Sequence, residues 1–141
     1  MPEFNLSRIH TLTGEINTAL AKLEKVKALS KEEFLANPEK IDSAKYNLVV
    51  ATEGAIDLCS HITAKSGGRS PESYADCFSL MGELGLFDDE VTQKLRQMAK
   101  FRNLLVHLYW KVDNSRVYDI IQDDIFILRH YLKIIGEHVS G

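Results

Sequence analysis

The 141-residue chain predicts an all-α fold: an antiparallel up-and-down bundle of four main helices plus a short helix, in one domain over residues 1–141. Three observations carry that prediction. Apolar residues recur at steps of three and four along most of the chain. No convincing strand run interrupts them. The connections between periodic segments are short, which makes neighbouring helices antiparallel. Composition agrees. Apolar residues at 45% and charged residues at 26% suit a core-forming soluble chain rather than a disordered one or a membrane span.

Taken in order, Ile9, Leu12, Ile16, Leu20, Leu23 and Val26 define a first helix of about six turns. Ser30 followed by Glu33 has capping-box spacing and opens a short helix over Lys31 to Ala36 that stops before Pro38. Ile41, Ala44, Leu48, Ala51, Ala55, Leu58 and Ile62 form a heptad-like seam on a long second helix, and its alanines let a neighbour approach closely. Gly67-Gly68-Arg69 ends that helix. Ser70 as cap and Pro71 as first helical residue open a third, with Tyr74, Phe78, Met81 and Leu84 inward and Gly85 as its stop. Asp88 caps a fourth helix, whose apolar positions are Val91, Leu95, Met98, Phe101, Leu105 and Leu108. Asp113-Asn114-Ser115 reads as a turn. Val117, Ile120, Ile121, Ile125, Leu128, Leu132 and Ile135 then define a last helix ending near Gly136.

Cys59 and Cys77 are too few for a disulfide scaffold and read as small core residues. The start, Met1-Pro2-Glu3-Phe4-Asn5, lacks the basic run and apolar core of a signal peptide, so a reducing, cytoplasmic setting is expected, with no membrane partner. The net charge of −3 argues against a chain coated in nucleic-acid-binding charge. It hides an asymmetry. Between Lys94 and Arg116 six basic residues face one acid, Asp113. Such a zone on an acidic body can hold a phosphate or an RNA backbone, or it is a solvated helix face balanced by acids nearby in space.

The densest polar cluster falls late in the fourth helix, from Phe101 through Arg102, Asn103, His107 and Tyr109 to Trp110. Phe101, Leu104, Leu105 and Leu108 make its inward stripe. Asn103 and His107, four apart, share a face. Arg102 and His107 diverge by about 140° on a straight helix. They converge if the helix bends or ends there, or if both border a cleft closed by another chain. These side chains suit RNA phosphodiester cleavage without a metal. An imidazole takes a proton from a 2′-hydroxyl or gives one to a leaving 5′-oxygen near neutral pH. A guanidinium makes paired hydrogen bonds to the phosphate and stabilises the charge of the pentacoordinate transition state. Asn103 orients either group. The same stretch also fits a hydrogen-bonded helix surface, and the residues alone leave both readings open.

Other candidates surround this cluster. Glu53, Asp57 and His61 step by four along the second helix. They line a cleft or salt-bridge to Arg102, Asp57 foremost, or they are an exposed face with helix-stabilising pairs. They lack a fourth convergent ligand, so no metal site is assigned. Tyr109 and Trp110 can stack on a base, or Trp110 anchors the bundle end or a dimer seam. Lys100 and Lys111, with Lys94, Arg96 and Arg116, steer RNA or merely dress the helix. His10, His130 and His138 read as surface histidines. Gly67-Gly68-Arg69-Ser70 lacks the lysine and preceding strand of a phosphate loop and reads as a turn.

The string Arg102-Asn103-x-x-x-His107-x-Tyr109 resembles the Arg-x(4–6)-His signature of the HEPN superfamily, and the tyrosine two residues after the histidine resembles its HepT-like branch. The likeness covers most of the chain, including the long Ala-rich second helix and the place of the motif before a last amphipathic helix. It implies a homodimeric bundle that acts as a metal-independent endoribonuclease toxin needing no cofactor. Two copies of the motif would meet across the dimer in one composite cleft, with Arg102 and His107 catalytic and Asn103 supporting them. It further implies a partner, an MntA-like nucleotidyltransferase antitoxin that transfers AMP to Tyr109, placing phosphate charge and a nucleoside at the cleft mouth. Two alternatives stand beside this: a non-catalytic helical interaction partner of a nucleotidyltransferase, and a plain dimeric scaffold.

Overall fold

The computed structural model describes residues 4–66 and 68–140. The chain's first three residues and Gly67 of the expected helix-ending turn lie outside them. Among the described residues seven α-helices and one 3₁₀ turn follow one another without a strand: α1 (Leu6–Lys27), α2 (Lys31–Leu35), α3 (Pro38–Ser66), α4 (Tyr74–Glu83), α5 (Asp89–His107), the 3₁₀ turn Tyr109–Lys111, α6 (Asn114–Asp123) and α7 (Phe126–Ser140). None of these helices is long and apolar enough to cross a membrane.

Local chemistry sets most boundaries. The Asn5 side chain accepts from the Arg8 N–H and opens α1. Ser30 and Glu33 form the expected reciprocal capping box on α2. Pro38 is the first residue of α3, where a missing N–H costs nothing. Asp88 accepts from Val91 N–H to open α5. Gly85, at φ +84°, follows the end of α4 in the left-handed conformation that glycine alone adopts freely.

Long-range contacts fix the directions. The Asn5 N–H reaches His61 near the end of α3, so α1 and α3 are antiparallel. Lys45 meets Tyr109 and Glu53 meets Arg102, so α5 runs back along α3. Tyr118 donates to Leu29 O and Arg129 to Glu24, so α6 and α7 together run antiparallel to α1. Four columns thus alternate in direction, with α2 at one end and α4 folded back on α5.

The six apolar residues expected on the first helix and the seven-residue seam on the second are all buried. They join one core cluster with Phe34, Phe78, Met81, Leu95, Leu128 and Tyr131. Burying an aliphatic side chain contributes about 1.5–3 kcal/mol, so this seam is what holds α1 to α3.

Four expectations are corrected. The third helix begins at Tyr74 with Ser73 as its cap, not at Ser70-Pro71. The Asp76 carboxylate takes the Glu72 N–H and the Arg69 guanidinium, which holds the preceding segment as a loop. Tyr74 and Leu84, at its two ends, are exposed rather than inward. The last helix is two. The chain turns at Asp124 and Ile125 through i→i+3 hydrogen bonds, letting α6 lie on α1 and α2 while α7 lies on α5 and α3. Finally, Gly136 stops nothing, because α7 continues through it to Ser140.

Candidate functional site

The Arg102–Tyr109 stretch occupies the last turn of α5 and the 3₁₀ turn beyond it. Phe101 and Leu105 face the core as expected. Leu104 and Leu108 do not. They are 36% and 39% exposed, because Leu104 lies on the side of α5 left uncovered and Leu108 falls after the helix has ended, at ψ 39°. Both Arg102 and His107 lie within α5, so the helix end does not alter their angular separation, and what they share is a border of one wide hollow. His107 is the final residue of α5, and it shares one open groove of about 680 Å³ with Arg102, Asn103 and Val106. The opposite wall is Pro71, Glu72, Ser73 and Tyr74, and Ser60 and Cys77 complete the lining.

Arg102 is the most constrained side chain there. Its Nε and Nη2 donate to one oxygen of Glu53 at 3.1 and 2.6 Å, and Nη1 donates to Asn103 Oδ1 at 2.9 Å. The guanidinium also lies 5.2 Å from the centre of the Tyr74 ring, within cation–π range. Three of its five N–H donors are engaged by these bonds, and two are not. A preorganised fork of this kind binds phosphate without losing much side-chain freedom. Asn103 therefore touches the arginine, and His107 is exposed on the same lining.

The acidic stripe of α3 sorts differently from expectation. Glu53, not Asp57, carries the ion pair to Arg102. Asp57 lies in a small neighbouring hollow with Glu53, Tyr74 and Arg102, where burial raises its pKa and the Glu53 charge adds to it, against Arg8 and Arg102. His61 accepts the Asn5 N–H at 3.1 Å and so fastens the start of α1. Burial first, then Lys65 and Arg8, hold its imidazole below the usual range.

Tyr109 is half-buried in the 3₁₀ turn that follows α5. Its hydroxyl donates to Asp42 Oδ1 at 2.8 Å, and the Lys45 ammonium lies 4.4 Å from the ring centre while donating to the Tyr109 carbonyl. Burial and the Asp42 hydrogen bond push the phenol up to about 12. Trp110 is 76% exposed, so it anchors nothing within the protomer.

The basic zone is partly neutralised. Lys94 pairs with Asp124 at 3.6 Å, Arg96 donates to Ser79, and the Arg116 guanidinium lies 4.8 Å from the centre of the Phe101 ring. Lys100 and Lys111 remain exposed, and among the described residues neither makes an ion pair. Cys77 is buried beneath the groove, and hydrogen bonding with Cys59 first, then Thr63 and Ser60, lowers its thiol pKa against the effect of burial. Sequence reasoning missed Asp42, Lys45 and Tyr74. Lys45 reads as a surface residue yet is only 5% exposed, because its stem packs in the bundle and its charge finds a carbonyl and a ring.

Fold and site together define an α-helical bundle with an Arg-Asn-x3-His-x-Tyr motif at the end of one helix. The chain matches the Ribonuclease HepT-like family over residues 16–135 and belongs to it. A provisionally named RNase of Archaeoglobus fulgidus is 30% identical over 113 residues, covering 79% of this chain and 85% of that protein. The tRNA nuclease HepT of Aphanizomenon flos-aquae is 27% identical over 124 residues, covering 87% and 82%. The fold is shared with the tri-AMPylated HEPN toxin of Shewanella oneidensis, solved in complex with an MNT antitoxin. The TM-score is 0.84 at 22% identity, over 92% of this chain and 97% of that one.

Proposed function

We propose that this chain is a cytoplasmic, metal-independent endoribonuclease toxin, with Arg102 and His107 as its catalytic residues and Asn103 supporting them. The carrying observation is the groove they share, lined by a guanidinium already fixed by Glu53, Asn103 and Tyr74. In the reaction an imidazole takes the proton of a ribose 2′-hydroxyl, whose oxygen attacks the adjacent phosphorus. The 5′-oxygen leaves with a proton from a second acid, giving a 2′,3′-cyclic phosphate and a free 5′-hydroxyl. Arg102 neutralises the pentacoordinate phosphate. Two-fold pairing of protomers would supply both imidazoles to one scissile linkage. Leu104, Val106 and Trp110, apolar and exposed around the motif, support a partner on that face. Lys100 and Lys111 then flank the RNA backbone.

Control would come from an MntA-like nucleotidyltransferase antitoxin that transfers AMP to Tyr109. The AMPylated state of the Shewanella toxin in its antitoxin complex supports this reading, as does the place of Tyr109 two residues beyond His107.

The test is cleavage of labelled RNA by purified protein in EDTA. Wild type is expected to cut, and His107→Ala and Arg102→Ala to lose at least about 100-fold, as removal of a general acid–base or of a charge-stabilising donor does. Equal cleavage by all three would remove the chemistry assigned to Arg102 and His107, and no cleavage by wild type would favour the non-catalytic partner reading.

A further inference from the structure

We propose that Asp42 is the general base for nucleotidyl transfer onto Tyr109, with Lys45 as the residue that holds the acceptor ring in place. This rests on the reading of Tyr109 as the AMP acceptor. It concerns what the acceptor protein itself contributes to its own modification.

The geometry is that of a nucleophile, a base and an orienting group. Asp42, exposed on the first turns of α3, accepts the Tyr109 hydroxyl hydrogen bond at 2.8 Å, within direct proton-transfer distance. Lys45, one turn further along α3, lies 4.4 Å from the ring centre and donates to the Tyr109 carbonyl at 3.1 Å. It therefore fixes both ring and backbone of a residue on a three-residue 3₁₀ turn that has no side-chain cap of its own. A carboxylate beside an incoming triphosphate is electrostatically unfavourable, and the adjacent ammonium offsets it. Among the described residues, the charged side chains in contact with the Tyr109 side chain are these two, both from α3.

A phenol needs the help. Burial and the Asp42 hydrogen bond hold its pKa above the ordinary phenol value, so Tyr109 is almost wholly protonated at pH 7. Attack is productive if the proton leaves as the new bond forms. The Tyr109 oxygen bonds to the α-phosphorus of a nucleoside triphosphate supplied by the nucleotidyltransferase. The bond from that phosphorus to the pyrophosphate oxygen breaks, and the phenolic proton passes to Asp42 Oδ1. The products are a tyrosyl nucleoside monophosphate ester and pyrophosphate, and Asp42 then releases the proton to water.

The experiment follows AMP mass gained by the Tyr109 peptide of the full chain, with the nucleotidyltransferase, ATP and Mg²⁺, at saturating acceptor. Asp42→Asn keeps a hydrogen-bond acceptor but cannot take the proton. It is expected to lower the maximal rate by about 10²–10⁴-fold at pH 7. The wild-type-to-variant ratio should shrink about tenfold per pH unit from pH 7 to 9, as hydroxide replaces the missing base. Asp42→Glu should keep the wild-type pH profile. A variant within threefold of wild type, or one that is slow by a pH-independent factor, would make Asp42 a fastener of the turn and overturn the proposal. If wild type itself gains no AMP at Tyr109, the acceptor reading fails first and this inference falls with it.

Discussion

Glu53 and Arg102 are 49 residues apart, and the short bonds between them decide where the groove's positive charge sits. Glu53→Gln tests that positioning. The pair is partly exposed on the Glu53 side, so its stability contribution is under about 1 kcal/mol. Its effect on orientation is larger, because the fork loses its charged anchor while Asn103 and Tyr74 remain. RNA cleavage is expected to fall about tenfold with a thermal midpoint close to wild type, read by initial rates and melting curves on one preparation. A midpoint that drops in step with the rate would make Glu53 a structural residue. The stripe Glu53, Asp57, His61 was legible from its spacing, but which of the three meets Arg102 was not. A step of four places all three on one face, and only the antiparallel offset of α3 and α5 selects Glu53. Asp42 was hidden for the same reason, since its partner Tyr109 lies 67 residues away.

Helices were legible where period and cap agreed. The first helix, the capping box of α2 and the Asp88 start of α5 depend on neighbours within four residues. The break at Asp124–Ile125 has no proline or glycine to announce it, and it exists because the two halves face different columns. Glycines divide along the same line. Gly54 sits where α3 meets α1, and a Cβ there would come 2.5 Å from Cγ1 of fully buried Ile16, a stiff β-branched side chain. Gly54→Ala is expected to destabilise by about 1–2 kcal/mol, overpacking outweighing the better helix propensity of alanine. Gly136, exposed inside α7, has nothing within 4 Å of its would-be Cβ. Gly136→Ala should stabilise by up to about 1 kcal/mol. Urea unfolding of the two variants beside wild type checks both signs. A stabilising Gly54→Ala would mean that α1 and α3 separate more readily than their packing indicates.

At the scale of the whole molecule, the groove has walls from α3, α4 and α5, so its shape depends on the core that joins them. Tyr131 sits at the middle of that core. It is fully buried, with its ring edge-on to Phe78 at 5.7 Å and its hydroxyl donating to Ala55 O at 2.9 Å. Burial drives the phenol's pKa well above its ordinary value, with the neighbouring Cys59 and Cys77 adding to it. The folded state therefore tolerates only the neutral form. This contribution is complete below the unfolded pKa near 10 and is lost as pH rises through 10 toward the folded value. Above pH 10 wild type should lose about 1.4 kcal/mol per pH unit more than Tyr131→Phe. At pH 7 the order is reversed, because the phenylalanine variant lacks a hydrogen bond worth about 1 kcal/mol. The two stability curves should therefore cross near about pH 11, as measured by urea unfolding at pH 7, 9, 10 and 11. Parallel curves across that range would show that the core admits the ionised ring or water beside it. The packing that sets α3 against α5 would then be looser than Glu53 and Arg102 require.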